Sequence, residues 1–262
     1  MPYYNRAYRP LGPIMESLKS ALREQQAASL RLFFRDDDVD EDGAPLRRLL
    51  RLFLERNTPI NLGVIPGRLT SACVELLAAS VGAAPALLEL NQHGWRHINH
   101  EREGRKCEFG ASRTYAEQLA DIAQGQSRMT EAFGPNWFPV FIPPWNRCTE
   151  ETRRAIDHLD FRALSARRGI SAETGYRFEE ISITLDLYRW NGGARMKSPE
   201  EIVDELIAQL SRQHTIGVAL HHKVMDEHAF SFLGSLLDTL AAHPAVRFHT
   251  FQSLLQLSQA HG

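Results

Sequence analysis

The strongest constraint on the fold is a recurring order along the 262 residues: a short apolar run, then an amphipathic stretch at helical spacing. LRLFFR ends at Arg35 and is followed by Leu46, Leu49, Leu50, Phe53 and Leu54, spaced for one helix face. PINLGVI (59–65) precedes a helical stretch over 71–80, and ALLEL (86–90) precedes a longer one marked by Tyr115, Leu119, Ile122, Met129 and Phe133. FPVFI (138–142) precedes a helix over 149–158, and a short strand covers 161–165. Ile181, Ile183, Leu185 and Leu187 alternate as a half-buried strand does. Ser198, Pro199 and Glu201 supply a cap, a proline at the first helical position and a residue that reaches back to the cap. TIGVAL (215–220) is a further strand. Asp226 caps a helix carrying Phe230, Leu233, Leu237 and Leu240, and a last strand (246–250) leads to a short helix. This β-then-α order predicts one α/β domain with a mostly parallel sheet, and seven or eight strands in this length favour a closed barrel. The charged stretch 101–113 reads as an exposed loop.

Composition removes several classes of function. Thirty Lys and Arg against 32 Asp and Glu give a net charge of −2, which argues against a broad nucleic-acid-binding face. No apolar run reaches the ~18 residues of a membrane span. The start, MPYYNRAYRP, lacks the continuous apolar stretch of a secretory signal, so a cytoplasmic location is expected. Cys73, Cys107 and Cys148 form no C-x-x-C pair, which excludes a disulfide framework and an all-cysteine zinc site. Any metal must therefore use carboxylates and some of the eleven histidines.

Four polar clusters each follow an apolar strand. The first is Arg35-Asp36-Asp37-Asp38, where adjacent carboxylates can divide between holding a metal and accepting a proton. The second is His93-Gly94-Trp95-Arg96-His97-Ile98-Asn99-His100. Its His93 and His97 are four apart, so one helical turn would let both imidazoles meet one ion. The third, Ile142-Pro143-Pro144-Trp145-Asn146-Arg147, is a stiff turn with an aromatic ring and polar groups for a substrate rim. The fourth is His221-His222-Lys223. In a parallel barrel all four lie on the C-terminal face, where barrel enzymes build their sites.

In this order, from Phe34 to His222, the chain resembles the polysaccharide deacetylase family, the NodB-like or carbohydrate esterase 4 group. The resemblance implies a distorted (β/α) barrel of about seven parallel strands, forming a single domain over 1–262 with residues 1–30 as an N-terminal extension. It implies removal of an acetyl group from an N-acetylated sugar with a divalent metal, zinc first, cobalt, nickel or iron as alternatives. Asp37 aligns with the family's base, Asp38, His93 and His97 with its metal ligands, and His221 with its general acid. A shift of the carboxylate pair to Asp36 and Asp37 stays open, as does His222 as the acid. Pro144, Trp145, Asn146, Arg147, His222 and Trp190 are expected to bind substrate. Ile142 stands where the family has an arginine that steadies the base, with Arg147, Arg35 and Arg96 as replacements. Trp145 replaces the family's tyrosine, and Asp186 and Trp190 are a faint trace of its fourth motif. An amidase or esterase for a non-sugar substrate, and a non-catalytic carbohydrate-binding relative, are the other functions in view. No nucleic acid or membrane partner is expected, and oligomeric state is not readable.

Overall fold

The structure, a computed structural model, describes residues 10–24, 29–167, 175–213 and 215–259. Its centre is a nine-stranded sheet in which every pairing is parallel. In chain order the strands are β1 (Leu30–Val39), β2 (Ile60–Val64), β3 (Leu88–His93), β4 (Trp137–Ile142), β5 (Ala163–Leu164), β6 (Glu179–Glu180) and β7 (Leu185–Asp186). A small antiparallel pair, β8 (Tyr188–Arg189) and β9 (Arg195–Met196), lies apart, and β10 (Thr215–Leu220) and β11 (Val246–Phe248) return to the main sheet. The spatial order is β6-β5-β4-β3-β2-β1-β10-β7, with β11 beside the start of β1. The run 179–187 bonds to β5 at one end, through Ile181 N–H to Leu164 C=O, and to β10 at the other, through Leu187 N–H to Ala219 C=O. One extended segment thus touches both edges of the curled sheet. It appears as two strands because each end pairs with a different neighbour.

Among the described residues eight α-helices pack around the sheet: α1 (Leu11–Arg23), α2 (Ala44–Leu54), α3 (Ser71–Ala83), α4 (Tyr115–Phe133), α5 (Glu150–His158), α6 (Pro199–Leu210), α7 (Glu227–Ala241) and α8 (Phe251–Gln259). Strand alternation sorts the side chains into two layers. Leu30, Leu32 and Phe34 of β1 face outward into the main core with Leu46, Phe53, Leu206 and Leu237. The N-terminal helix joins that core through Ile14, Met15, Leu18 and Leu22. Phe33 faces inward, with Val140, Ile142, Ala163, Ile181, Ile183 and Ala219. Helix α8 adds Phe251, Leu254 and Leu255 to this inner cluster and fills the end of the barrel where the strands begin. The opposite, C-terminal end is left for polar groups. No described helix is long and apolar enough to cross a membrane.

Two strands run further than the apolar pattern indicates. β1 continues through Asp36, Asp37 and Asp38 to Val39, and β3 continues to His93. The polar residues of both clusters therefore begin inside the sheet, held by its hydrogen bonds.

Candidate active site

Plain alternation along β1 would send Arg35 and Asp37 inward and Asp36 and Asp38 outward. The structure breaks that rule at one point. Between Asp36 and Val39 the register against β2 slips, and Asp38 adopts a left-handed backbone with φ of 70°. This bulge swings Asp38 onto the same side as Asp37, so two adjacent carboxylates serve one site. Gly63 on β2 makes room: a Cβ there would stand 3.2 Å from Asp37 Oδ1.

Asp38 Oδ1 lies 3.3 Å from His93 Nε2 and 3.2 Å from His97 Nε2. Donors around a four-coordinate zinc with bonds of about 2.0–2.1 Å are roughly 3.3 Å apart, which is the spacing of Asp38 from each histidine. All three donor atoms lie within 4.8 Å of one another. The Nδ1 of His93 bonds the Ile142 carbonyl at 3.0 Å, which leaves Nε2 as the donor facing the cluster. Burial disfavours ionisation of Asp38, but the adjoining His93 and the charges of His93, His97 and His221 outweigh it and hold the carboxyl well below its ordinary range. Burial, followed by the charge of His93, brings His97 down to about 4, so its imidazole is neutral at physiological pH. Burial works against the proton on His93, yet Asp37 and Asp38 raise its pKa.

The spacing of the two histidines predicts a helical turn, and the structure has none: β3 ends at His93 and the chain continues as a loop. Gly94 (φ 59°) and His97 (φ 56°) are both left-handed. A Cβ on Gly94 would collide with Glu108 and Pro144, so only glycine fits. Glu108, 1% exposed, accepts the N–H groups of Trp95 (3.2 Å), Arg96 (2.7 Å) and Ile98 (3.4 Å). It is the internal brace of the loop that aims His97. The stretch expected to be an exposed loop thus has a buried centre, residues 107–110. Its signal in the sequence is Cys107 and Phe109 flanking Glu108 within a charged run.

Asp37 is fixed by Arg35, a fully buried guanidinium. Arg35 donates to Asp37 Oδ2 (2.7 Å), to Asn146 Oδ1 (2.7 Å) and to the carbonyl and hydroxyl of Ser165 (2.8 and 3.1 Å). Of the three arginines considered for the place of Ile142, it is Arg35 that bonds Asp37. Ile142 instead fills the inner wall. Asp37 Oδ1 is buried with no hydrogen-bond partner among the described residues.

His221 follows β10, with Nε2 3.8 Å from Asp37 Oδ2 and Nδ1 3.9 Å from Asp186 Oδ1. Trp190 donates its indole N–H to Asp186 Oδ2 at 3.0 Å and stands edge-on to His221, ring centres 4.5 Å apart. Asp186, the lone carboxylate in the alternating apolar run 181–187, is therefore part of the cluster. His222 is not. It is 2% exposed and faces the other side of the sheet, where its N–H and Nδ1 meet the Asp36 carboxylate at 2.9 and 2.6 Å. Asp36 is occupied by that pairing. Asp40 is occupied by Lys223 and Arg68.

The turn after β4 completes the rim. Trp145 (φ 56°) and Asn146 (φ 54°) are both left-handed. The indole of Trp145 lies 4.3 Å from the His97 ring, Asn146 reaches Arg35, Pro144 is buried, and Arg147 donates to the Lys106 carbonyl. Four of the six described non-glycine residues with positive φ (Asp38, His97, Trp145 and Asn146) are in this site, which is where backbone strain serves function.

No family model matches the sequence, and no curated protein sequence matches it. Solved structures do match in shape. A provisionally assigned polysaccharide deacetylase from Mycobacterium smegmatis has a TM-score of 0.69 at 15% identity, covering 89% of this chain and 91% of that one. A family 4 acetyl xylan esterase from Clostridium thermocellum, in complex with a cobalt ion, gives 0.60 at 15% identity over 87% and 92%. A CE4 family pseudoenzyme from Bacillus anthracis gives 0.59 at 13% identity over 87% and 66%. At these identities the likeness defines the fold: the chain has the NodB-like (β/α) barrel of CE4 structures.

Proposed function

We propose that this protein is a metal-dependent deacetylase that removes an acetyl group from an N-acetylated sugar. The observation that carries the reading is the Asp38, His93 and His97 triangle, with Asp37 beside it and His221 across from it on the C-terminal face. Asp38, His93 and His97 would hold the ion, and zinc suits the donor set best, with cobalt, nickel and iron sharing its ligand preferences. A divalent ion bound there supplies Lewis acidity, activating water and polarising the acyl carbonyl.

The chain's own groups supply the rest. Asp37, adjacent to the ligands but outside the triangle, accepts the proton of the attacking water at Oδ1, the oxygen that Arg35 leaves free. Arg35 keeps the carboxylate from rotating out of line. His221 protonates the leaving nitrogen at Nε2, its ring steered by Asp186 behind and Trp190 alongside. Trp145 and Trp190, the latter 45% exposed, offer aromatic faces to a sugar ring, and Pro144, Asn146 and Arg147 form the adjoining rim.

The test is hydrolysis of an N-acetylated sugar by chelated protein before and after zinc is returned. The expected result is activity that zinc restores. Activity on simple amides or esters with none on acetylated sugars would move the assignment to a non-sugar hydrolase. Stoichiometric metal without hydrolysis of any acyl substrate would mark a binding protein.

A further inference from the structure

The turn after β4 spends backbone donors on itself and leaves one side-chain donor free. The Asn146 N–H bonds the Pro143 carbonyl at 2.9 Å, and the Arg147 N–H bonds the Pro144 carbonyl at 3.2 Å. Asn146 is left-handed, with φ of 54°, so a fixed backbone projects its carboxamide. One nitrogen of Arg35, Nη2, donates both to Asn146 Oδ1 and to Asp37 Oδ2, each at 2.7 Å. A guanidinium carries donors alone, so the atom it meets on Asn146 is the oxygen, and the orientation of the amide is settled by chemistry. Nδ2 then keeps two N–H groups for other partners. Among the described residues it has none, and it is not one of the buried unpaired atoms. Neighbouring amides differ. Asn61 donates to the Phe34 carbonyl, Asn91 to Glu89 and the Phe138 carbonyl, and Gln92 to the carbonyls of Gly94 and Ile122. Arg35 and Asp37 are buried while Asn146 is half-buried, so whatever meets Nδ2 arrives through the mouth of the barrel.

We propose that Asn146 is a catalytic residue whose Nδ2 donates to the acyl oxygen of the substrate as that oxygen gains negative charge. The turn borders both halves of the reaction. Trp145 packs on the ring of His97, 4.3 Å between centres, and Asn146 shares a guanidinium nitrogen with Asp37. A carbonyl attacked by water that has lost its proton to Asp37 sits between that base and the metal ligands, beside this turn. The buried charge of Arg35 on Oδ1 polarises the amide and strengthens its N–H groups as donors. A donor held in place beforehand stabilises charge that appears only in the transition state, with no cost of reorganisation. The inference rests on the deacetylase reading for the reaction that Asn146 assists.

The experiment compares the full zinc-loaded chain with Asn146→Ala and Asn146→Asp. The alanine removes both the donor and the acceptor for Arg35. The aspartate keeps an acceptor for Arg35 and loses the N–H groups. Hydrolysis of N-acetylglucosamine oligomers is measured, with kcat normalised to zinc content. The expected result is a kcat about 100-fold lower in both variants, with KM nearly unchanged. Wild-type turnover by Asn146→Asp would show that Asn146 only anchors Arg35, and a loss confined to KM would place Nδ2 on another part of the substrate. Either result overturns the proposal and leaves the deacetylase reading standing. If the wild type hydrolyses none of the oligomers, that reading fails and calorimetric binding of acetohydroxamate, which carries the same acyl oxygen, decides. Binding about tenfold weaker in both variants supports the donor role, and equal or absent binding overturns it.

Discussion

The guanidinium of Arg35 lies 2.7 Å from Asp37 Oδ2, although the two residues are only two apart on one strand. Such neighbours share a face of the sheet, so a long side chain from the layer beneath can reach up to a short one above it. Breaking a buried pair by removing one partner costs roughly 3–5 kcal/mol, because it leaves an uncompensated charge. Arg35→Met should lower stability by about that amount and reduce kcat by about 100-fold. Arg35→Lys keeps the charge but cannot hold Ser165 and Asn146 together, and should fall between. Urea unfolding and steady-state kinetics check both variants, and full turnover by Arg35→Met would contradict this role.

Glu108 acts through the loop it braces. Glu108→Ala removes the acceptor of three N–H groups and frees His97 to wander. Loss of such outer support weakens metal binding by roughly 10–100-fold. Competition with a chromophoric chelator measures it. An unchanged zinc affinity would mean that His97 is held by other contacts.

Glu89 gives the fold a pH dependence of its own. It is buried at the closed end of the barrel, where its carboxylate accepts from Asn91 Nδ2 (3.0 Å) and from the Gln252 N–H near the start of α8 (2.9 Å). Burial outweighs those donors and raises its pKa from 4.5 to about 7. A carboxyl with a raised folded pKa favours the folded state when protonated. Its contribution is therefore complete below pH 4.5 and is lost as pH rises to about 7, a swing of roughly 3 kcal/mol. Glu89→Gln should flatten the fall in stability between pH 4.5 and about pH 7 relative to the wild type. Parallel pH profiles for the two proteins would contradict it.

What the sequence made legible was the material held by periodicity and strand-end position. The β-then-α order, the parallel sheet and the four clusters at one end follow from alternation and apolar spacing. What it hid was set by backbone turns and long-range contacts. Alternation alone places Asp38 on the wrong face, because the bulge that returns it depends on the register against β2. Four-residue spacing suggests a helix for His93 and His97, whereas left-handed residues and Glu108 shape a loop. His221 and His222 are equivalent in a string of letters, and only the pleat of β10 sends one to Asp186 and the other to Asp36. Arg35, read beside two other candidates, is singled out by its reach to Ser165 and Asn146, which lie more than a hundred residues away.

The central claim is a division of labour between neighbours: Asp38 holds the metal with His93 and His97, and Asp37 moves the proton. The most direct test measures zinc content and turnover together on Asp37→Asn and Asp38→Asn. The account predicts that Asp37→Asn keeps about one zinc per chain and loses turnover, while Asp38→Asn loses the zinc as well. An Asp37→Asn protein that hydrolyses substrate at the wild-type rate, or one that loses its zinc, would contradict it.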